Sequence, residues 1–275
     1  MKLYLAGINP AEHKEVFDLN PSPGFLTSFA DANASKYLQG TNADAFLDCG
    51  AYTAFRCGKT IERDKYLEFA LHNQERCKAI AYLDVIGEPR QSKENYDWFA
   101  NKGLQGIPTF HIGSPWHYLE EICDRWQYVA IGGVAWRIST RKIQSTNTDL
   151  LKMLQKCHYI AGKKNVKLHG FGVTAWNLVE RFPWHSVDST THLVGARFGH
   201  LLLPKKKPFK LRQFLCDNQK AFTKRSEIAK LLTMCPFEHS YKWGDLFIGT
   251  NAARNRVAFN AKAMCWAVER LSLNK

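Results

Sequence analysis

The sequence repeats one pattern: a short apolar run that ends in a polar or acidic residue, most often with a glycine beside it. Strands buried on both faces of a parallel sheet have this continuous apolar character, so each run predicts a parallel strand. The runs lie at residues 45–50, 79–87, 107–113, 128–133, 166–172 and 185–189. Polar groups and glycines at the carboxyl ends of parallel strands are typical of the face where α/β barrels carry their active sites.

Helical patterns fill the intervals between these runs. Between residues 61 and 77, Leu67, Ala70 and Leu71 lie on one apolar stripe with charged residues opposite, which predicts an amphipathic helix. The other predicted helices cover residues 92–102, 115–126, 139–160 and 175–181. This alternation of strands and helices indicates βαβ units and a parallel sheet.

The number of predicted strands approaches that of a closed barrel. Residues 2–7 predict a first strand and residues 197–203 a last one. We therefore expect a TIM-type (β/α)8 barrel, a fold that commonly forms one domain of about 250 residues. An open, doubly wound α/β sheet would produce the same local patterns and stays an alternative.

The character of the chain changes after residue 203. Residues 204–212 form a basic segment bounded by prolines, and residues 252–271 carry apolar side chains at helical spacing. We predict a barrel core at residues 1–203, followed at residues 204–275 by a basic loop and helices that pack on the barrel wall. No internal repeat is evident, which argues against a solenoid.

The chain is strongly basic. Its 275 residues include 38 Lys and Arg against 25 Asp and Glu, a formal net charge of +13. Such an excess favours a polyanionic partner, above all nucleic acid, through electrostatic steering and counterion release. A basic surface that is merely solvated is the alternative. The residues expected to contact phosphates are Lys205, Lys206, Lys207, Lys210 and Arg212.

The spacing of the cysteines and the length of the apolar stretches indicate the cellular compartment of the protein. Eight cysteines are scattered along the chain without the tight spacing of a disulfide-rich secreted domain. No signal-peptide pattern occupies the amino terminus, and no apolar stretch is long enough to cross a bilayer. We expect reduced thiols, no membrane partner and a cytoplasmic protein, in the host cytoplasm if the chain is phage-encoded.

Six short motifs carry a resemblance to a known family. They are LDCGAY at 47–52, YLDVI at 82–86, GIPTFH at 106–111, AIGG at 130–133, KLHGFGVT at 167–174 and SVDST at 186–190. In this order they resemble the tRNA-guanine transglycosylase superfamily, and they look closest to the phage and bacterial branch that inserts 7-deazaguanine bases into DNA. The resemblance covers roughly residues 45–200 and depends on the order of the motifs, since each motif alone is weak.

The resemblance implies a double displacement at C1′ of a nucleoside. Asp188 matches the nucleophilic aspartate of the superfamily and would attack the sugar carbon, expel guanine and hold the sugar as a covalent ester. Asp48 matches the aspartate of the Asp-Ser-Gly-Gly motif and would act as general acid/base, taking the N9 proton from the incoming base. This chemistry implies no redox cofactor and no nucleoside triphosphate.

The resemblance also implies a base-binding pocket. Asp84 matches the guanine-reading aspartate and would accept hydrogen bonds from N1–H and the exocyclic amine, because an ionised carboxylate is purely an acceptor. The backbone N–H groups of Gly132 and Gly133 would approach O6, since no side chain is expected to intervene.

Aromatic and imidazole side chains complete the expected pocket. Tyr52 or Phe110 would offer a face on which the base stacks. His111 stands near the position where the tRNA enzymes carry a glutamine, a difference that we expect to alter which base is preferred. For His111, a hydrogen-bonded core histidine is the competing interpretation.

Departures from the family pattern favour DNA over tRNA as the substrate. The tRNA enzymes hold zinc through a tight cysteine cluster and a distant histidine, whereas Cys216, Cys235 and His239 are the conceivable remnants here. Fewer than four converging ligands do not make a structural zinc site, so we expect neither the zinc subdomain nor a metal cofactor. Cys49 and Ala51 also depart from the first family motif, at the edge of the base pocket.

The expected function is exchange of guanine in DNA for a 7-deazaguanine such as preQ0. DNA and the free base are the expected partners, and a homodimer or accessory DNA-modification proteins are further candidates. The alternatives are a tRNA-guanine transglycosylase, a barrel glycosidase or nucleoside hydrolase, and a nucleic-acid-binding barrel without catalysis. Taken without the resemblance, Asp48 and Asp188 are candidate helix caps and Asp84 a candidate ion-pair member.

Overall fold

Eight parallel strands form the central sheet of the computed structural model, which describes residues 1–140, 144–173, 175–204, 211–215 and 223–273. The strands are β1 (Lys2–Ala6), β2 (Gly24–Ser28), β3 (Ala45–Asp48), β4 (Cys77–Ile80), β5 (Thr109–His111), β6 (Tyr128–Gly132), β7 (Lys167–Gly170) and β8 (Ser186–Ser189). Their order across the sheet is β4-β3-β2-β1-β8-β7-β6-β5. The parallel α/β architecture predicted from the apolar runs is therefore confirmed.

The sheet curls until its two outermost strands meet. The N–H of Ile107, just before β5, donates to the carbonyl of Ile80 at the end of β4 over 2.7 Å. The N–H of Tyr82 donates to the carbonyl of Ile107 over 2.9 Å, and Ala81 and Ile107 form a parallel bridge. These contacts give the described part of the chain a TIM-like curvature, with the carboxyl ends of all eight strands on one face.

Helices follow most strands. They are α1 (Lys14–Phe17), α2 (Ala34–Gln39), α3 (Ala51–Arg56), α4 (Arg63–His72), α5 (Pro89–Asn101), α6 (Trp116–Arg125), α7 (Val134–Thr140), α8 (Thr148–Lys163), α9 (Trp176–Arg181), α10 (Thr191–Arg197), α11 (Arg225–Thr233), α12 (Trp243–Phe247) and α13 (Ala252–Leu273). The helix predicted at 139–160 is wrong as one element. A new helix begins at Thr148, because the Asn147 side chain accepts hydrogen bonds from the N–H groups of Asp149 and Leu150.

Side chains alternate between the interior of the sheet and the outer helix layer. The interior cluster contains Tyr4, Ala6, Leu26, Phe46, Ala79, Ala81, Ile107 and Ala130, with Tyr128 and Phe171 packed against it. The intervening strand residues join a larger core with the helices, and examples are Leu5, Phe25, Leu47, Phe110, Val129 and Leu168. This period of two explains why the strand sequences are apolar on both faces.

One predicted strand is wrong as a member of the barrel. The segment predicted at 197–203 contains β9 (His200–Pro204), which pairs antiparallel with β10 (Leu211–Leu215) in a separate two-stranded sheet. Its place in the central sheet is taken by β2, which pairs with β1 and β3. The prediction missed β2 because its apolar run is short and ends in Thr27 and Ser28 without an acidic residue or glycine.

The C-terminal elements surround a second, smaller core. Leu201, Ile228, Trp243 and Phe259 belong to this cluster, which joins β9 with α11, α12 and α13. Buried Asn260 on α13 links the elements, since its Oδ1 accepts from the Leu202 N–H at 2.8 Å and its Nδ2 donates to two carbonyls.

The predicted phosphate-binding segment is described only in part. Its four lysines, at positions 205, 206, 207 and 210, lie outside the described residues. Of Arg212, the backbone alone is described, in β10. No helix among the described residues is long and apolar enough to cross a membrane.

Candidate active site

Strand alternation directs two predicted catalytic carboxyl groups to the same side of the sheet. Asp48 lies two residues after Phe46, an interior residue of β3, and therefore faces the interior as well. Asp188 of β8 is in register with Tyr4 of β1, another interior residue, and residues in register share a face. Asp48 is the last residue of β3, and Asp188 is the next-to-last residue of β8. Both carboxyl groups therefore lie near the carboxyl end of the sheet.

The environment of Asp48 favours its protonated form. Burial, the nearby charge of Asp84 and the charge of Asp188 raise the pKa of Asp48 from 3.8 to about 7, against hydrogen bonds from Gly50 and Ser28 that lower it. The Gly50 N–H donates to Oδ2 over 3.0 Å. A carboxyl group with this pKa is suited to both giving and taking a proton near neutral pH. Its dependence on two other carboxylates also indicates that the three lie near one another.

Asp84 follows β4 and is held by two side chains. The Cys49 thiol donates to Oδ1 over 3.1 Å, and Nε2 of His111 lies 2.6 Å from Oδ2. Burial acts to raise the pKa of Asp84, but the hydrogen bonds from His111 and Cys49 and the charge of His111 outweigh it and lower the pKa below its usual value. Asp84, which is 7% exposed, is therefore an ionised acceptor that the protein has already aligned.

Asp188 is held on one of its two oxygens. The backbone N–H of Gly172, in the loop after β7, donates to Oδ1 over 2.7 Å. Nε2 of His169 on β7 lies 3.4 Å from the same oxygen. Asp188 is 7% exposed and His169 fully buried. The arrangement fixes the carboxyl group from the side of β7 and leaves Oδ2 without a hydrogen-bond partner among the described residues.

The glycines predicted to face the base pack closely against His111. A Cβ atom on Gly132 would lie 2.8 Å from Cε1 and 2.9 Å from Nδ1 of the His111 ring, so a larger residue would displace the imidazole. Gly133 has φ +84°, a conformation that favours glycine. The space left by the missing side chain at position 132 is thus occupied by His111, which lies in register with Gly132. His111 stands between this backbone and Asp84.

The two candidate stacking residues have different surroundings. Tyr52, on α3 directly after β3, is 45% exposed, and its hydroxyl accepts a hydrogen bond from Arg56. Phe110 is 2% exposed, and its ring stacks on Trp116 of α6 with 5.7 Å between ring centroids. Phe110 therefore belongs to the outer helix layer, and its interpretation as a stacking face for a base is wrong. Tyr52 stays a candidate.

Two cavities occur away from the carboxylate pair. One lies between α5, α6 and β5 and is lined by residues that include Tyr96, His111 and Tyr118. The other lies between the loop at residues 19–21 and α13. Neither has Asp48 or Asp188 in its lining. His111 lines the first cavity and also contacts Asp84.

The conceivable zinc ligands are engaged in ordinary hydrogen bonds. The Cys235 thiol donates to the carbonyl of Leu231 at 3.4 Å, and Nε2 of His239 lies 3.0 Å from the carbonyl of Leu232. Cys216 lies outside the described residues. Within the part of the chain that the structure describes, no group of three or more His, Cys, Asp or Glu side chains is arranged to hold a metal ion.

The structure brings two further side chains to the site, Cys49 on Asp84 and His169 on Asp188. The sequence patterns identify Cys49 only as a departure from the family motif and predict no role for His169. The signal for His169 was its place in a strand: an imidazole two residues before interior Phe171 has to lie in the interior too. The partner of each side chain belongs to another strand, and sequence spacing does not identify it.

The comparisons with known proteins do not identify a relative. No protein-family model matches the chain, and a search of curated proteins finds no match. The function is therefore inferred from the geometry of the carboxyl groups, the charge of the chain and the motif resemblance.

Proposed function

We propose that this chain is a base-exchanging transglycosylase that replaces guanine in DNA with a 7-deazaguanine base through a covalent aspartyl-deoxyribose intermediate. The observation that carries the proposal is the placement of two carboxyl groups, Asp48 and Asp188, on the interior side of one curled sheet near its carboxyl end. The pKa of Asp48 is raised to about 7, and Asp188 is anchored through Oδ1, whereas its Oδ2 has no hydrogen-bond partner within the part of the chain that the structure describes. Such a pair suits an acid/base and a nucleophile.

In the first half-reaction, Oδ2 of Asp188 forms a bond to C1′ while the bond from C1′ to N9 of guanine breaks. The electron pair of the broken bond stays on N9, which takes a proton from the carboxyl group of Asp48. Because the pKa of Asp48 is about 7, a substantial fraction carries that proton at neutral pH. The products are free guanine and a sugar ester on Asp188.

The second half-reaction reverses these steps with a new base. Asp48, now ionised, accepts the N9 proton of the incoming 7-deazaguanine, and N9 attacks C1′ as the ester bond to Asp188 breaks. Each displacement inverts the anomeric carbon, so the exchange retains its configuration. No water enters the balance, and hydrolysis would compete only if water replaced the incoming base.

Recognition of the base falls to Asp84 and its neighbours. Both oxygens of Asp84 accept bonds from protein groups, and each retains a second lone pair for N1–H or the exocyclic amine of guanine. The N–H groups of Gly132 and Gly133 are proposed to approach O6, and exposed Tyr52 to offer a stacking face. His111, which occupies the space beside Gly132, would then tune the preference between bases.

DNA is the proposed polymer. The net charge of +13 supports a polyanion, and the basic segment Lys205, Lys206, Lys207, Lys210 and Arg212 is proposed to contact its phosphates. A paired guanine is out of reach of two carboxyl groups that face the interior of the sheet, so it has to be flipped out of the duplex or met in a single strand. The proposed architecture is a (β/α)8 barrel with a basic C-terminal extension in place of a zinc subdomain.

The test compares polymers and bases directly. The protein is incubated with DNA or with tRNA, each with preQ0 and related 7-deazaguanines, and the nucleosides are measured by mass spectrometry. We expect incorporation into DNA and a covalent protein–DNA adduct after denaturation. Asp188→Asn should abolish both, whereas Asp64→Asn, a change in an exposed aspartate on α4, should leave both intact.

Each other outcome contradicts the proposal in a recognisable way. Incorporation into tRNA alone would identify a tRNA-guanine transglycosylase. Release of free base without incorporation would identify a glycosidase or nucleoside hydrolase. Binding of DNA that weakens steeply with salt, without exchange or adduct, would identify a nucleic-acid-binding barrel that lacks catalysis.

A further inference from the structure

A chain of four polar side chains runs through the interior of the sheet and ends on Asp188. The hydroxyl of Tyr128 on β6 lies 2.5 Å from Oγ of Ser186 on β8. The same Oγ lies 2.6 Å from Nδ1 of His169 on β7, and Nε2 of His169 lies 3.4 Å from Oδ1 of Asp188. Interior positions of a barrel are normally apolar, so a connected polar chain there calls for an explanation.

The direction of the hydrogen bonds follows from what each group can donate. Nε2 of His169 makes no hydrogen bond among the described residues, but it lies 3.4 Å from a carboxylate oxygen, which can only accept, so the imidazole proton belongs on Nε2. Nδ1 then has to accept, and the Ser186 hydroxyl donates to it. Ser186 has a single proton, and therefore the Tyr128 hydroxyl must be the donor to Ser186. Burial raises the pKa of Tyr128 to about 12, which keeps this donor protonated at neutral pH.

Packing holds the imidazole in this orientation. The His169 ring is fully buried, and its centroid lies 4.5 Å from that of Phe46 and 4.7 Å from that of Phe171. Tyr4 packs edge-on at 6.1 Å. With aromatic rings on these sides, a flip of the imidazole would leave a nitrogen facing carbon, so the tautomer set by Ser186 is the one presented to Asp188.

We propose that the Tyr128–Ser186–His169 chain is a positioning relay that anchors Oδ1 of Asp188 and so presents Oδ2 as the attacking atom. The inference rests on the proposed transglycosylase function. Gly172 acts from the same direction, since its N–H also donates to Oδ1. The Gly172 hydrogen bond and the approach of His169 Nε2 to within 3.4 Å both fall on Oδ1, which leaves Oδ2 as the attacking oxygen and restricts rotation about the side-chain bond.

The relay has consequences for rate and for pH dependence. Its loss should lower the rate of ester formation more than the affinity for DNA, because Ser186 and Tyr128 reach Asp188 only through His169. A carboxylate that loses a hydrogen-bond donor is protonated more readily, so the acidic limb of the rate profile should move to higher pH. The other ionisable groups near this region include Asp48, Tyr4, His185, Lys2, Lys167 and the amino terminus, and they are the same in every variant below.

The experiment uses conservative variants and a matched control. Ser186→Ala breaks the relay at its centre, and Tyr128→Phe removes its outer donor. Thr109→Val removes a hydroxyl from another buried interior strand position, where Oγ1 has no partner among the described residues. Formation of the covalent adduct is followed in single turnovers between pH 5 and pH 9, together with DNA affinity.

We expect Ser186→Ala to slow adduct formation by about tenfold, with a smaller loss for Tyr128→Phe, and both with an acidic limb at higher pH. Thr109→Val should keep the wild-type profile. A second pair checks the role of His169, since His169→Gln retains an N–H donor near Oδ1 and should keep more activity than His169→Leu. Equal losses in these two variants would overturn the relay.

The two proposals fail in different ways. If the wild-type protein forms no adduct with any DNA, the transglycosylase function is wrong and the relay with it. If the wild-type protein forms the adduct and Ser186→Ala keeps both the rate and the pH profile of Thr109→Val, only the relay is wrong. Stability measured by urea unfolding for each variant separates a loss of fold from a loss of positioning.

Discussion

At the scale of single residues, the neighbours of the aspartates decide what each one can do. Asp48, which is half-buried, and Asp84, which is buried, lie near other carboxylates, yet their pKa values move in opposite directions. Asp84 receives two side-chain donors, one of them an imidazole, whereas Asp48 receives a backbone N–H and a hydroxyl that do not offset burial. Carboxyl groups whose pKa values are pushed apart are suited to separate roles, here a proton carrier and an ionised acceptor.

The raised pKa of Asp48 predicts a pH-dependent cost in stability. The unfolded chain releases this proton near pH 3.8, whereas the folded protein keeps it until about pH 7. The contribution of Asp48 to the free energy of unfolding is therefore fully present below pH 3.8, decreases as the pH rises above that value, and is lost once the pH has risen through 7. Asp48→Asn should gain stability relative to wild type between pH 5 and pH 8, on the order of 2 kcal/mol.

Urea unfolding at pH 5 and pH 8 checks this prediction. Because other carboxyl groups also titrate, the informative quantity is the difference between Asp48→Asn and wild type at each pH. Asp64→Asn, a change at an exposed position of α4, is the control: its difference in stability from wild type should be the same at both pH values. Parallel curves for Asp48→Asn and wild type would mean that the folded protein does not hold the Asp48 proton.

At the scale of elements, the C-terminal helix α13 is tied to the rest of the chain by buried polar contacts as well as apolar packing. Ala258, Ala261 and Met264 belong to the main core, while Phe259 belongs to the smaller one. Asn260 lies between them and is fully buried. Its side chain pairs with the backbone of β9 and with the carbonyl of His192 in α10, so one residue joins three elements.

Asn260→Ala should therefore destabilise the protein markedly. The change leaves the Leu202 N–H and two carbonyl groups buried without their partner. Each such group costs about 1–3 kcal/mol, so we expect a loss of at least about 2 kcal/mol in the free energy of unfolding. Glu269→Ala, an exposed change on the same helix, is the control and should stay within about 0.5 kcal/mol. A loss no larger than that of the control would contradict the linking role of Asn260.

At the scale of the whole molecule, the basic charge and the curled sheet are expected to act together. A net charge of +13 attracts a polyanion at long range, without distinguishing one base from another. The site at the carboxyl end of the sheet is then expected to select the base. The sequence concentrates lysines at residues 205–207. If this segment contacts phosphates, its charges should appear in the salt dependence of DNA binding.

The double variant Lys205→Ala/Lys206→Ala tests that expectation. Each lost phosphate contact lowers the slope of log affinity against log salt by about 0.9, so the slope should become shallower by about 2. The control is Lys78→Ala/Lys167→Ala, which removes the same charge from the amino ends of β4 and β7, at the end of the sheet away from the candidate active site. Fluorescence anisotropy with one DNA at several salt concentrations provides the slopes. Equal slopes in the two double variants would show that the segment makes no such contacts.

The fold could be predicted in outline because strand and helix patterns are local. Residues 2–7 and the runs that overlap β3 to β8 are recognisable from apolar character alone, and α5, α6 and α13 from their periodicity. The exchange of β9 for β2 in the predicted sheet has a simple cause. Both segments are short and apolar, and only pairing with β1 and β3 distinguishes β2 as a member of the central sheet.

The sequence alone predicted seven of the eight strands of the central sheet, several of the helices between them, and the positions of Asp48, Asp84 and Asp188 at or after the carboxyl ends of strands. The tertiary structure decided the contacts among them: Cys49 and His111 on Asp84, and His169 on Asp188. These partners are separated by 35 and 27 residues around Asp84 and come from neighbouring strands at Asp188. They depend on strand order, register and the curvature of the sheet, which arise from packing of the whole chain and leave no local pattern in the sequence.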